Sequence, residues 1–416
     1  MVNIIKNIKE NKEIKNTFIY LLSTFLTKGV SFVIIPILTN IISIEEFGTL
    51  SLFESYLNIT CALILFSTPN YIAKYYYNES DVSSKIKHSL LINFIITLLL
   101  ILVLILLSVI GNIKLPVYVF LSLPILGLFN SILETYLLLL RLNIRPLEYL
   151  KLEIFKLFMD TILLLSLVII FNLGWLSKFY SIVLVSIILF VFCYYKISQL
   201  INFDFKFNLN ELKNTFYFLF PLIIHSISFT LINSYDKIAL ERYSSLEDVA
   251  IYSVYTKFIS VSIIIIIGIN KAFHPKLYEL LSNNYSIIFK KNIQYLIVFL
   301  CITVSVVGVV VDFFDSYVIP VEYLRGAFLI PFFCLSFMFY GIYSIIFPII
   351  ISKGNNLYLM SFSLFCAISN IVINNLLVGP LGMYGAVLGT LFSFFCLFLS
   401  TGIYSFNLVR VWRENI

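Results

Sequence analysis

Charged side chains are scarce in this sequence. Only 12% of its 416 residues are Asp, Glu, Lys or Arg, whereas 60% are hydrophobic and the mean hydropathy is +1.00. A soluble chain of this length needs much more charge to cover its surface, so the soluble globular classes are excluded. The composition predicts an integral membrane protein.

Motifs that carry chemistry are also missing. The sequence holds no G-x-x-x-x-G-K-[ST] phosphate loop, no G-x-S-x-G elbow and no H-E-x-x-H metal motif. Its three histidines, His88, His225 and His274, are scattered, and its six cysteines include no closely spaced pair. Lys and Arg form no patch interleaved with exposed aromatics, which argues against nucleic acid. We therefore expect no enzyme, no catalytic residues and no resident metal or cofactor.

Long apolar runs predict about twelve membrane-spanning helices, because one crossing needs about 20 apolar residues. The predicted fold class is therefore an all-α polytopic membrane protein. The runs lie at residues 17–42, 47–70, 89–110, 116–140, 152–171, 175–195, 215–240, 249–270, 289–311, 326–351, 357–377 and 382–407.

The positive charges between these runs predict the topology. Of the 28 Lys and Arg residues, 20 lie in the two termini and the alternate loops near residues 80, 146, 205, 283 and 354. The opposite set of loops holds only Lys114, Lys178, Arg242 and Arg325. Since positive charge is retained on the cytoplasmic side, both termini are predicted to be cytoplasmic.

An internal repeat divides the chain into two halves. Asn16-Thr17-Phe18 recurs as Asn214-Thr215-Phe216, at an offset of 198 residues. Glu45-Glu46-Phe47-Gly48 corresponds to Glu247-Asp248-Val249-Ala250, at an offset of 202. Six spans separate the copies, so the repeat is parallel. It predicts two six-helix lobes, residues 1–198 and 215–416, joined by a cytoplasmic linker at 199–214.

Two segments carry a resemblance to a known family. Lys28-Gly29, then Pro36, Thr39, Ser43 and Glu45-Glu46-Phe47-Gly48, resembles the opening of the bacterial polysaccharide (O-antigen type) flippases. Tyr235-Asp236-Lys237-Ile238, followed by the segment 248–253, resembles their seventh and eighth helices. These flippases belong to the multidrug, oligosaccharidyl-lipid and polysaccharide exporter superfamily.

The resemblance implies two six-helix lobes around a central cavity in a bacterial cytoplasmic (inner) membrane. It implies a flippase that moves an undecaprenyl-pyrophosphate-linked oligosaccharide to the outer leaflet, for lipopolysaccharide O-antigen or capsule. The implied partners are this lipid-linked oligosaccharide, membrane lipids, and a polysaccharide polymerase with glycosyltransferases. Two alternatives remain open: a cation-coupled small-molecule or drug exporter of the same superfamily, and an integral-membrane polysaccharide polymerase.

Four polar residues inside spans are predicted to bind the substrate. A charge at mid-membrane costs about 2.5 to 3.5 kcal/mol and needs a partner or a wet cavity. Lys28, about eleven residues into the first span, would contact a pyrophosphate or acidic sugar, or else pair with a carboxylate. Glu54 and Lys257 occupy nearly equivalent sites in the repeat, and His225 corresponds to the residue before Lys28.

Three residues on the seventh span are predicted to couple transport to an ion. Asn233, Asp236 and Lys237 stand at i, i+3 and i+4, which places them on one helix face. They predict a cation or proton site in which Asp236 titrates. The alternative is an interfacial anchor, because this segment nears the outer surface.

The fifth span carries a further polar set. Glu153, Lys156 and Asp160 share a face, and Lys156 stands four residues before Asp160. At this spacing two opposite charges lie side by side on a helix. We expect Lys156 and Asp160 to neutralise one another in a structural cluster.

Overall fold

The computed structural model describes residues 2–76, 82–110, 115–199, 209–268, 270, 286–347, 350 and 356–414. These residues are almost entirely helical, and no strand occurs among them. The prediction of an all-α polytopic membrane protein is confirmed. Residues 200–208 of the predicted linker, and the loops near residues 80, 205, 283 and 354, lie outside the described residues.

The helices follow the apolar runs in chain order. The first seven are α1 Val2–Ile41, α2 Ile44–Leu65, α3 Thr68–Tyr75, α4 Val82–Ile110, α5 Val117–Leu142, α6 Pro146–Ile169 and α7 Leu176–Ser198. The later ones are α8 Leu209–Tyr243, α9 Leu246–Ile259, α10 Ser286–Val318, the 3-10 helix η1 Val321–Gly326, α11 Leu329–Ile346, α12 Asn356–Leu381 and α13 Met383–Glu414.

Nine helical segments of the described residues are long and apolar enough to cross a membrane. Three more helices have the length: α1 with 40 residues, α6 with 24 and α8 with 35. Together they make the twelve spans expected. These three carry the polar residues that the sequence analysis selected on the first, fifth and seventh spans.

The internal repeat is visible in how two helices begin. The hydroxyl of Ser43, just before α2, accepts a hydrogen bond from the backbone N–H of Glu46 at 3.2 Å. The hydroxyl of Ser245, just before α9, accepts one from the backbone N–H of Asp248 at 3.1 Å. Each serine satisfies an N–H group that the first turn leaves open, and acidic residues in that turn favour the positive end of the helix dipole.

The contacts between residues divide the chain into two compact units. Unit 1 comprises Met1–Ile34 and Tyr56–Ile223, and unit 2 comprises Ile35–Ser55 and Ile224–Ile416. The end of α1 and the first half of α2 therefore pack within unit 2. The lobe and linker boundaries expected from the repeat stay a prediction.

Unit 1 has its core where α5 packs against α7, with α4 and α6 beside them. Leu137 of α5 and Leu189 and Cys193 of α7 are among its buried residues. The expected pairing of Lys156 with Asp160 is wrong. Asp160 instead accepts hydrogen bonds from Lys178 Nζ at 2.7 Å and Ser181 Oγ at 2.9 Å, because α7 places both donors against α6.

Unit 2 has its core among α8, α11, α12 and α13. Ile232 of α8, Tyr343 of α11, Cys366 of α12 and Phe394 of α13 are buried together there. This packing brings three helices around the part of α8 that holds Asp236.

Candidate functional site

Asp236 is a buried carboxylate surrounded by four side-chain donors. Its side chain lies in unit 2, and the residue is only 2% exposed. One carboxylate oxygen accepts a hydrogen bond from Tyr252 Oη at 2.5 Å and another from Thr390 Oγ1. The other oxygen accepts from Asn374 Nδ2 at 2.8 Å and from Asn370 Nδ2 at 3.4 Å. We call these five residues the Asp236 site.

Three helices deliver the donors to α8. Tyr252 lies on α9, Thr390 on α13, and the two asparagines lie one turn apart on α12. Gly389 makes room for Asn374, since a Cβ atom at position 389 would lie 2.8 Å from Asn374 Nδ2. Asn374 is further fixed by a 2.9 Å bond from its Nδ2 to the carbonyl of Asn370.

The Asp236 site has the oxygen atoms to hold a small cation. Among the described residues no partner reaches Asn370 Oδ1 or Asn374 Oδ1, although both atoms are buried. Hydroxyls both donate and accept, and an amide turned over presents oxygen instead of nitrogen. The same side chains can thus donate to an ionised Asp236 or ligate a cation beside it.

The charge of this ligand set points to a monovalent ion. Asp236 is its one carboxylate, and hard oxygen ligands suit alkali or alkaline-earth cations. In the described part of the chain no three His, Cys, Asp or Glu side chains come together as a metal-holding group. A proton or a monovalent cation therefore fits the Asp236 site.

Three further charged residues accompany Asp236 in unit 2. Lys257 Nζ lies 2.7 Å from Glu54 Oε2, with the two side chains 27% and 24% exposed. Lys237 is buried and lies within electrostatic range of Lys257, Glu54 and Asp236. We call these four residues the charge cluster. Counted as formal charges, its two lysines balance its two carboxylates, and one added proton or cation makes the formal charge positive.

The Glu-Phe-Gly motif at the start of α2 packs beside the charge cluster. Lys257 Nζ lies 5.4 Å from the centre of the Phe47 ring, and that ring meets Tyr323 edge-on at 6.1 Å. At Gly48, a Cβ atom would come within 2.1 Å of the carbonyl oxygen of Leu246. A residue without a side chain is therefore needed where α2 meets the start of α9.

The remaining residues selected from the sequence make no hydrogen bond with the Asp236 carboxylate in the described part of the chain. Asn233 donates to the carbonyl of Phe229 at 2.8 Å, within its own helix. His225 Nε2 lies 3.5 Å from Tyr343 Oη, and no described partner reaches its buried Nδ1. Lys28 is on α1, and its side chain lies outside the described part of the structure.

The sequence did not predict Asn370, Asn374 or Thr390 as site residues, and Tyr252 entered only as part of the segment 248–253. A weak signal was present: two asparagines four residues apart share one face of an otherwise apolar helix. Neutral polar residues are common in membrane helices, so this pattern alone does not identify a site.

The fold formed by these helices is similar to that of two solved membrane transporters. It is similar to a multidrug resistance transporter of the MATE family and MOP superfamily in an inward-facing conformation, with a TM-score of 0.72 and 13% identity over 96% of each chain. It is also similar to the lipid II flippase MurJ in an inward closed conformation, with a TM-score of 0.67 and 13% identity over 91% of this chain and 86% of that one.

The chain belongs to the polysaccharide biosynthesis protein family, whose model matches residues 14–281. A relative from Haemophilus influenzae, described as Lsg locus putative protein 1, is 23% identical over 276 residues, covering 65% of this chain and 67% of the relative. Family membership and fold together confirm the resemblance to polysaccharide flippases.

Proposed function

We propose that this protein is a flippase for an undecaprenyl-pyrophosphate-linked oligosaccharide. It works by alternating access in a bacterial cytoplasmic membrane and supplies surface polysaccharide such as O-antigen or capsule. The observation that carries the proposal is the charge cluster inside the helices of a polysaccharide-family member with the MATE and MurJ fold. Such a cluster is costly in a membrane and serves to move charge rather than to make or break bonds.

The lipid-linked substrate explains why lysines are needed within spans. Its polyprenyl chain stays in hydrocarbon throughout, whereas its pyrophosphate and sugars have to cross. Lys28 and Lys257 attract the pyrophosphate, and Glu54 and His225 supply hydrogen-bond partners to the sugars. Glu54 holds Lys257 at 2.7 Å until the anion competes for it.

In this proposal the Asp236 site couples transport to an ion gradient, which supplies the driving force. A cation or proton that enters it neutralises Asp236, so the four donors lose their charged acceptor and Lys237 loses a neighbouring negative charge. Because the donors come from α9, α12 and α13, occupancy of the site biases how these helices pack against α8. Release of the ion on the other side completes the cycle.

A second candidate is a cation-coupled exporter of small molecules. The TM-score of 0.72 with a multidrug transporter favours it. An integral-membrane polysaccharide polymerase is the third candidate function.

If the protein is the flippase, its expected partners are a separate polysaccharide polymerase and the glycosyltransferases that make the repeat unit.

A deletion strain distinguishes the three functions. Loss of a flippase should accumulate complete lipid-linked repeat units that an impermeant lectin detects in inside-out vesicles but not in right-side-out spheroplasts. Plasmid-borne wild type should restore outward exposure. Accumulation on the outer face would indicate a polymerase, and unchanged repeat units with new drug sensitivity would indicate an exporter.

A further inference from the structure

A groove of about 500 Å³ lies on unit 1 between α5, α6 and α7, apart from the Asp236 site. Its wall is formed by Phe155 of α6 and by Ile188 and Phe192 of α7. These side chains are 41%, 48% and 44% exposed in the chain alone. Since α5 and α7 are membrane-spanning segments, the wall faces the depth at which lipid chains lie.

The mouth of the groove lies at one membrane face. It is lined by Lys151, five residues after the start of α6, and by Lys196, two residues before the end of α7. Positive charge in this region predicts the cytoplasmic face. Lysines at the ends of spanning helices extend their ammonium groups to the level of the lipid phosphates.

The charges at the mouth favour an anion. Lys196 Nζ lies 5.9 Å from the centre of the Phe192 ring, which holds this ammonium group over the groove. Glu148 also lines the mouth, but it accepts a hydrogen bond from Arg145 Nη1 at 3.4 Å. Basic pockets between spanning helices on the cytoplasmic side are typical sites for anionic lipid head groups.

The residues that line the groove favour a charged phosphate group over a sugar. Among the described lining residues, the one neutral polar group is the hydroxyl of Tyr136. Carbohydrate recognition requires several hydroxyl or amide partners, whereas a phosphate needs cations and an acyl chain needs an apolar wall.

We propose that this groove binds an anionic phospholipid. The phosphate lies against Lys151 and Lys196, and one acyl chain lies along Phe155, Ile188 and Phe192. The site is independent of the function proposed above, because its occupant is a lipid of the surrounding leaflet and not the transported molecule.

Native mass spectrometry of the full-length protein in detergent tests the lysines. Phosphatidylglycerol should be retained in preference to phosphatidylcholine with the same acyl chains. Lys151→Gln and Lys196→Gln should each weaken phosphatidylglycerol retention about fivefold, since one basic residue near a membrane surface contributes about 1 kcal/mol. The charge-matched controls are the single variants Lys213→Gln and Arg242→Gln, each of which should leave retention unchanged.

A second pair of variants tests the acyl-chain wall. Ile188→Trp should fill the groove and abolish retention while leaving both lysines in place. Ile187→Trp, at the neighbouring exposed residue outside the lining, should have no effect. Equal retention of both phospholipids, equal losses in the variants and their controls, or displacement of phosphatidylglycerol by equimolar undecaprenyl phosphate would each overturn the proposal.

Discussion

Asp236 shows how a single ionisable residue is tolerated inside this protein. An unaccompanied charge at mid-membrane costs about 2.5 to 3.5 kcal/mol. A hydrogen bond to a charged group contributes about 1.5 to 3 kcal/mol, so two of the four donors would offset that cost. The remaining donors hold the carboxylate in place, and any ion that binds has to compete with them.

Adding a single methyl group at Gly389 tests the Asp236 site. In Gly389→Ala the added Cβ displaces the amide of Asn374, which is the end of a side chain and can move without unfolding the helix. Loss of one bond to a charged acceptor should change the apparent affinity for the coupling ion about tenfold. The control is Gly402→Ala on the same helix, where none of the described atoms lies within 4 Å of the added Cβ.

Measured flipping against ion concentration should separate these two variants. Gly389→Ala should shift the curve, and Gly402→Ala should overlay wild type. Identical curves for all three proteins would show that Asn374 has no part in ion binding.

The ion pair between Glu54 and Lys257 can be tested by exchanging the charges. Glu54→Lys or Lys257→Glu alone places two like charges at the 2.7 Å contact and should lower Tm. The double variant restores an attractive pair, and the coupling energy should fall within about 0.5 to 3 kcal/mol. Thermal stability of the purified variants measures it, and strictly additive losses would mean that the pair does not interact.

Transport by the same double variant tests the proposed substrate contact. If Lys257 attracts the pyrophosphate from its present position, restored stability should come without restored flipping. Full recovery of both thermal stability and flipping would show that the ion pair has a structural role and does not contact the substrate.

At the residue scale, the charged residues of the site could be predicted from the sequence, whereas the neutral donors that contact Asp236 could not. Asp236, Lys237, Glu54 and Lys257 were selected because a charged residue inside a span needs an explanation. Asn370 and Thr390 were not, because they reach Asp236 from 134 and 154 residues away and nothing local marks that contact.

At the scale of elements, the junction of α2 and α9 depends on one glycine. Gly48→Ala would drive a Cβ atom into the backbone carbonyl of Leu246, which has no flexible end to move aside. Overpacking of this kind costs about 1 to 3 kcal/mol. Gly29→Ala is the matched control, because an added Cβ there meets no atom of the described part of the chain within 4 Å.

Heating the detergent-purified variants and measuring the remaining monodisperse protein should show a lower Tm for Gly48→Ala alone. An unchanged Tm would mean that α2 and α9 separate at no cost at this junction.

The helices themselves were largely predictable, because apolar runs in a membrane have no alternative to helix. The predicted run at 47–70 nevertheless contains a break, since α2 ends at Leu65 and α3 begins at Thr68. Phe66 and Ser67 adopt positive φ angles of 49° and 52° there. Neither is a residue that favours this conformation, so the sequence gives no sign of the turn.

At the scale of the whole molecule, the membrane constrains the fold more strongly than the sequence does. The chain shares only 13% identity with a MATE transporter but matches it with a TM-score of 0.72. Many different apolar sequences can form the same set of membrane-spanning helices. The division into units, with Ile35–Ser55 in unit 2, depends on packing between distant helices and was not predictable.

The orientation of the molecule is a separate prediction. Arg145→Cys and Glu322→Cys both place a thiol at an exposed position, one in a loop predicted to be cytoplasmic and one on the opposite side. In intact spheroplasts an impermeant maleimide should label Glu322→Cys only. Labelling of Arg145→Cys from outside would reverse the topology, and the wild type, with its six native cysteines, sets the background.

Coupling is a property of the intact protein, and Asp236→Asn tests it. The amide keeps the size of the side chain but carries no charge, so it neither titrates nor holds a cation against Tyr252 and Thr390. Abundance in the membrane should stay near wild type, while outward flipping should fall at least tenfold. Asn233→Ala, on the same helix face but bonded to its own backbone, should retain most of the activity.

Ionophores then identify what drives the wild type. Wild-type flipping is measured in proteoliposomes with lipid-linked oligosaccharide, with one ionophore that collapses the proton gradient and another that collapses the sodium gradient. Only one of the two ionophores should stop flipping, and that ionophore identifies the driving ion. The residual flipping of Asp236→Asn should not respond to that ionophore, because the variant has lost the group on which the gradient acts. Normal flipping by Asp236→Asn, with an undiminished response to the ionophore, would remove Asp236 from the coupling mechanism.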